Sequence, residues 1–134
     1  MALKNTFLCI ILFLLAGCPL QVEIVLYNFT GDDVRIISNS GVIPVPNMAH
    51  VEVDEDKFHF DRDLQGFEVI KLSNGRCYIV SFGAAVSGQK ELFNDSRYSA
   101  NIVFTRQAAY FVPPSIKISN RLDFAKFHKL DSCR

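Results

Sequence analysis

Short apolar segments separated by turn-forming residues are the feature of this 134-residue chain that most restricts its fold. Val22–Phe29 is apolar on both faces, which predicts a strand in the interior of a sheet. Val42–Val45 contains Pro44 and is followed by Pro46, so it is predicted at a sheet edge. The other predicted strands are Val34–Ser38, Ala49–Val53, Lys57–Phe60, Phe67–Leu72, Arg76–Phe82, Tyr98–Thr105 and Ala108–Val112. This pattern predicts an all-β fold, either a small antiparallel β-sandwich or a barrel-like domain.

Two short motifs add detail to this expectation. Asn74 and Gly75 lie between two predicted strands, and the pair Asn-Gly favours a type I′ hairpin turn in which both residues have positive φ. Near the end of the chain, Asn120–Leu130 favours a short amphipathic helix, with Asn120 as the N-cap and Asp123 at the third helical position. We therefore expect a tight hairpin in the middle of the domain and a short C-terminal helix.

The N-terminus has the composition of an export signal. Lys4 supplies a positive charge, and the apolar run Phe7–Leu15 that follows is too short to cross about 30 Å of hydrocarbon as a helix. The segment Leu15-Ala16-Gly17-Cys18 resembles the lipobox of bacterial lipoproteins, in which small residues separate a leucine from the lipidated cysteine. The alternative is an ordinary secretory peptide that is cleaved nearby and leaves Cys18 without a lipid.

The lipobox resemblance implies that residues 1–17 are a lipoprotein signal peptide and that Cys18 becomes the lipidated N-terminus. It would carry a diacylglycerol and an amide-linked acyl chain such as palmitate. Two or three acyl chains give stable membrane attachment, which a single chain does not. Pro19 in place of an aspartate favours the outer membrane, with the protein facing the periplasm. Residues 18–21 are then the lipidated N-terminus and a short tether, and 22–134 form a single β-rich domain.

Two cysteines remain once the signal peptide is removed and Cys18 is acylated, namely Cys77 and Cys133. An even pair in an oxidising compartment predicts a disulfide. A bridge between them ties the end of the chain to a central strand, so residues 120–130 must fold back over the sheet and bury their large apolar side chains. The alternative is a reactive thiol at Cys77, activated by the neighbouring Arg76.

Two groups of side chains are candidate cation sites, and neither has a complete ligand pattern. The acidic stretch Glu52–Asp63 supplies oxygens suited to Ca²⁺ but lacks the glycine of a calcium-binding loop, and a solvated turn is the alternative. His50, His59 and Asp61 would form a transition-metal site only if adjacent strands brought them together. The sequence contains no nucleophile elbow, phosphate loop or dinucleotide fingerprint, so it predicts no catalytic, cofactor-binding or metal-ligating residue.

The charges balance, with 14 basic and 14 acidic residues, which argues against general electrostatic binding of nucleic acid. Residues 117–134 are locally basic and could face anionic lipid or cell wall, or form the solvated surface of a docked tail. Small size, a membrane anchor, a disulfide and the lack of catalytic motifs predict a non-enzymatic envelope lipoprotein. We expect it to bind a protein partner on the periplasmic side, and an immunity protein or inhibitor is the sharpest form of this expectation. The alternatives are a lipid- or cell-wall-modifying enzyme and an envelope assembly or structural factor.

Overall fold

A computed structural model describes residues 21–54, 58–80, 93–94 and 97–134, which form two β-sheets packed against each other. The predicted signal peptide and Cys18 lie outside the described residues. The strands are β1 (Gln21–Phe29), β2 (Val34–Ser38), β3 (Gly41–Val45), β4 (His50–Asp54), β5 (Asp61–Arg62), β6 (Glu68–Leu72), β7 (Cys77–Val80), β8 (Phe93–Asn94), β9 (Arg97–Thr105), β10 (Ala109–Val112), β11 (His128–Lys129) and β12 (Asp131–Ser132).

The two sheets define a small all-β sandwich, as predicted. Sheet I has the order β11-β10-β9-β1-β4, with β8 also paired to β9, and sheet II has the order β12-β7-β6-β2-β3, with β5 also paired to β6. β1 lies inside sheet I, and β3, which contains Pro44, lies at an edge of sheet II; both placements confirm the sequence pattern. One strand pair is not antiparallel as predicted. The neighbouring strands β1 and β9 of sheet I run parallel to each other.

The hydrophobic core lies between the sheets and is filled from the inner face of each. Ile24 and Leu26 of β1 and Ile102 and Phe104 of β9 are fully buried. Each such side chain contributes about 1.5–3 kcal/mol through its removal from water. The residues that face them from sheet II include Ile36, Ile70, Leu72 and Val80.

The C-terminal segment covers sheet I and then crosses to sheet II. The ring of Phe124 lies 6.0 Å from that of Phe29 and 5.9 Å from that of Tyr110, measured between centroids. Further along, β11 pairs with β10 of sheet I, Leu130 is buried in the core, and β12 pairs with β7 of sheet II. The predicted return of the tail over the sheet is thus confirmed, and the tail closes one side of the sandwich.

The predicted C-terminal helix is wrong. Asp123, not Asn120, caps a three-residue 3₁₀ turn, Phe124–Lys126, and its carboxylate accepts the Ala125 N–H at 3.2 Å. From His128 onward the backbone pairs with β10 of sheet I. Its N–H and C=O groups are therefore not available for the hydrogen bonds of a longer helix. The large apolar side chains of this segment are half-buried at Leu122, Phe124 and Phe127, and buried at Leu130.

The hairpin between β6 and β7 has a different turn from the predicted type I′. Gly75 has a φ of +87°, as expected, but Asn74 is not among the described non-glycine residues with positive φ. The Gly75 N–H donates to the Leu72 carbonyl at 3.0 Å, and the Leu72 N–H donates to the Arg76 carbonyl at 2.8 Å. This is the pattern of a type I turn followed by a bulge at a left-handed glycine.

The predicted strand Lys57–Phe60 is wrong over its described part, residues 58–60, and Lys57 lies outside the described residues. Phe58 and Phe60 are buried with their rings edge to face and their centroids 5.3 Å apart, so they share one face as expected. The strand at this position, β5, nevertheless begins only at Asp61. The two rings enter the core from irregular backbone.

Candidate binding surface at the loop pole

Four loops converge at the end of the sandwich where β1 and β9 terminate. They comprise residues 30–33, 46–49, 73–76 and 106–108, and we call this end the loop pole. β1 begins at the other end of sheet I, where Gln21 pairs with Arg97 at the start of β9. A strand rises about 3.3 Å per residue, so β1 separates the two ends by roughly 26 Å.

A buried asparagine holds two of these loops together. Asn28 is fully buried at the end of β1, and its side-chain amide donates to the carbonyls of Asp32 at 2.7 Å and Val45 at 2.8 Å. Its carbonyl oxygen accepts the backbone N–H of Thr30 at 3.0 Å and the Thr30 hydroxyl at 2.7 Å. All these polar groups are satisfied, so the network fixes the first loop against the end of β3.

Met48 lies exposed on a loop whose backbone is held rigidly. Its φ is +61°, in the left-handed region, and 53% of its surface is exposed. The Met48 N–H donates to the Asn28 carbonyl at 2.8 Å. On the same loop, the Asn47 side chain accepts the Gly31 N–H at 3.2 Å, and the Asn47 N–H donates to Asp33 at 2.8 Å. A non-glycine residue in this region costs about 1–3 kcal/mol, and such strain is concentrated at functional sites.

Two arginines connect the remaining loops. Arg106 donates through Nε to the Thr30 carbonyl at 3.3 Å, and Arg76 donates through Nη1 to the Thr105 carbonyl at 3.0 Å. Gly31 leaves the room that Arg106 needs, because a Cβ there would lie 2.7 Å from its Nη2. The hydrogen bonds therefore hold two exposed arginines among the loops of the pole.

A polar pocket of about 370 Å³ adjoins this surface. Its walls come from the β6–β7 hairpin, the loop between β9 and β10, and the C-terminal tail, and they include Arg76 and Lys129 but no carboxylate. Among the described residues, no acidic side chain lies within ion-pair distance of these two cations. The pocket is at the small end of the range for ligand sites, large enough for one side chain or a small anion.

The predicted cysteine pair forms part of the pocket wall. Cys77 and Cys133 lie at disulfide distance, with 5.3 Å between their Cα atoms, and both line the pocket. The Cys133 N–H also donates to the Cys77 carbonyl at 3.0 Å. The tail is thus fastened to β7 where the sequence predicts it.

The histidine cluster that the sequence analysis considered, and did not predict, as a metal site is not assembled. His50 lies on sheet I, where its ring stacks on that of Tyr27 at 5.0 Å, whereas His59 precedes β5 of sheet II. The Asp61 carboxylate is paired with the Lys71 ammonium at 3.1 Å. Within the described residues, no group of three histidine, cysteine or acidic side chains is placed to hold a metal ion. Part of the acidic stretch 52–63 lies outside them.

No motif in the sequence predicts a binding role for Asn28 or Met48. A polar residue at an inward position of an apolar strand, two residues before a Thr-Gly turn, is a signal that could have indicated Asn28. Nothing in the sequence around Met48 indicates a left-handed backbone. The strain there depends on contacts with β1, which become visible only in the folded chain.

No protein-family model, curated protein sequence or solved structure matches the chain. In the part of the chain that is described, no helix has both the length and the apolar character needed to span a bilayer.

Proposed function

We propose that the protein is an envelope lipoprotein anchored through Cys18 whose β-domain binds a protein partner on the periplasmic side of the membrane. The loop pole is the binding surface, and the outer membrane is the favoured location. In its sharpest form the proposal makes the protein an immunity protein or an inhibitor, which blocks a toxin or hydrolase. The support for this proposal comes from the lipobox resemblance and from the geometry of the pole.

The observation that carries the proposal is the rigid, strained presentation of Met48 at the end of the domain remote from the N-terminus. Exposing a large apolar side chain on a strained backbone costs stability, and the surrounding hydrogen bonds keep it in place. Methionine adapts its shape to apolar surfaces and is common at binding sites. An apolar anchor on a rigid loop is an efficient contact because little conformational entropy is lost on binding.

The charges of the pole indicate what kind of partner surface fits. Arg76 and Lys129 line a pocket without carboxylates, and Arg106 lies between that pocket and Met48. A guanidinium group pairs bidentately with carboxylates, so an acidic side chain of the partner fits the pocket. Asp32 and Asp33 are exposed on the loop after β1, where the Asp33 carboxylate accepts the Asn47 N–H beside Met48. The pole therefore carries negative charge there and positive charge at the pocket, which restricts how a partner can orient on it.

Quantitative capture from solubilised envelopes tests this function. We expect Met48→Gly to reduce capture of the partner at least tenfold while the free energy of unfolding stays equal or rises, because glycine relieves the backbone strain. Lys129→Gln should weaken capture as well, and its loss should be greater at low salt. Lys126→Gln, which changes an exposed cation of the tail outside the pocket, is the matched control. Equal capture by all four proteins would contradict the proposal.

A further inference from the structure

A second exposed apolar feature lies on the loop between β5 and β6. Leu64 is fully exposed, and 42% of the surface of Phe67 is exposed. The two belong to one short loop, residues 63–67, which we call the hairpin tip. Scattered apolar residues are normal on protein surfaces, but two large ones on one projecting loop suggest a contact with something else.

The backbone of the hairpin tip is fixed, so these side chains cannot simply turn inward. The Asp63 carboxylate accepts the N–H groups of Gln65 and Phe67, both at 2.9 Å. The Asp63 N–H donates to the Phe67 carbonyl at 2.9 Å, and Gly66, with a φ of +85°, donates to the Asp63 carbonyl at 3.1 Å. The aspartate charge is thus used within the loop, and the outward surface of the tip consists of Leu64 and Phe67 with the uncharged Gln65 and Gly66 between them.

The strand directions place the hairpin tip at the end of the sandwich opposite the loop pole. β6 runs from Glu68 to Leu72 and ends in the hairpin that Arg76 attaches to Thr105 at the loop pole. The tip precedes Glu68, so it projects from the other end, which is also the end where β1 begins. Only Pro19 and Leu20 separate Cys18 from the first strand residue, Gln21. Three residue steps reach at most about 11 Å, so a lipid on Cys18 holds this end of the domain close to the bilayer.

We propose that the hairpin tip is a second membrane contact, in which Leu64 and Phe67 enter the interfacial region of the bilayer beside the acyl chains of Cys18. The proposal rests on the anchoring of the protein proposed above. Arg62, adjacent to the tip, has a side chain that is 69% exposed and lies 3.9 Å from the Glu68 carboxylate. Its guanidinium can exchange this exposed contact for lipid phosphates while its alkyl part lies along the interface. Together the lipid anchor and the tip orient the domain with the loop pole away from the membrane.

The absence of tryptophan from the sequence makes this contact measurable. Leu64→Trp introduces a single fluorophore at a fully exposed position, where it removes no core contact. Each purified, lipidated variant is reconstituted in vesicles of phosphatidylethanolamine and phosphatidylglycerol with brominated acyl chains, and its tryptophan fluorescence is measured. The emission of Leu64→Trp should shift to shorter wavelength and be quenched by the bromine, and that of Phe67→Trp should behave in the same way. Met48→Trp at the loop pole is the matched control and should show neither change.

Flotation of the same vesicles separates the two proposals. Cys18→Ser made without residues 1–17, which carries neither acyl chains nor the apolar signal segment, is the control and should lose most of its flotation with the vesicles. If the lipidated protein floats but Leu64→Trp and Phe67→Trp stay unquenched, the hairpin-tip contact is overturned and the anchor stands. If the wild-type protein does not float, or if the Cys18→Ser variant floats as well as the wild-type protein, the anchor is overturned. The orientation derived from the anchor then fails too.

Discussion

Asn28 lies at the end of β1 with its side-chain amide buried, and that amide makes hydrogen bonds to three other residues. Replacing it with leucine keeps the approximate volume but leaves the carbonyls of Asp32 and Val45 and the hydroxyl of Thr30 without this partner. We expect Asn28→Leu to lower the free energy of unfolding by about 2–3 kcal/mol. Urea denaturation measures the change. Asn39→Ala, at an exposed side chain, should change it by less than about 0.5 kcal/mol, and equal effects would contradict the account of this network.

Asp61 makes stability depend on pH. The backbone N–H of Asn39 donates to its carboxylate at 2.8 Å and Lys71 pairs with it at 3.1 Å. These contacts hold the pKa of Asp61 below its ordinary value of 3.8. The folded state therefore favours the charged carboxylate, and this contribution is present above the ordinary pKa and lost as pH falls through the lowered one.

We expect acidification to narrow the stability difference between the wild-type protein and Asp61→Asn. At neutral pH the variant should be less stable, because asparagine accepts the Asn39 bond less strongly and forms no ion pair with Lys71. Thermal unfolding from pH 7 to pH 2 measures the difference in Tm. A difference that does not change with pH would show that the charge of Asp61 contributes nothing.

At the scale of elements, the C-terminal tail joins the two sheets through two strands of two residues each, β11 and β12. The stability of strands this short depends on the contacts of the residues beside them. Here these are the buried Leu130 and the Cys77–Cys133 pair. A bridge between cysteines 56 residues apart contributes about 4 kcal/mol in the chain-entropy model.

We expect reduction to lower the stability of the domain and to loosen the tail first. Hydrogen exchange should accelerate at the Cys133 N–H and along β12, and only afterwards in β1 and β9, which lie in the interior of sheet I. A Cys77→Ser/Cys133→Ser double variant should be insensitive to reductant. Free-thiol titration that finds both cysteines reactive in the native oxidised protein would contradict the bridge.

The elements also show how far sequence reasoning reaches for this fold. Period-two alternation and turn residues are local signals, and they located β1, β2, β6, β7, β9 and β10 and the edge position of β3. The C-terminal helix was predicted from capping and spacing in a segment whose backbone is used instead by sheet I, a contact that local propensity does not contain. Gly75 has the positive φ that was predicted, but the turn is a three-residue loop and not the two-residue type I′ turn. The dipeptide Asn-Gly is compatible with both.

The candidate site was less predictable than the fold for the same physical reason. The cysteine pair followed from counting, and its placement on β7 is confirmed. The loop pole combines loops from four parts of the chain, and its backbone strain at Met48 results from a hydrogen bond to Asn28. Such long-range arrangements leave no periodic trace in the sequence.

At the scale of the whole molecule, we propose opposite roles for the two ends of the sandwich. In the proposed arrangement the N-terminal end, with the lipid at Cys18 and the hairpin tip, faces the membrane. The loop pole, with Met48 and the basic pocket, would then face the periplasm, roughly 26 Å further out along β1. A domain held this way presents one defined surface to soluble or membrane-bound partners and restricts the orientations in which they meet it.

Site-specific photo-crosslinking in living cells tests this central claim most directly. A benzoylphenylalanine is placed at Met48 on the loop pole or at Leu64 on the hairpin tip, both of which are exposed. The account predicts a discrete protein adduct from position 48, lost when Lys129→Gln is added, and no protein adduct from position 64, which contacts lipid. A protein adduct from position 64 with none from position 48 would contradict it.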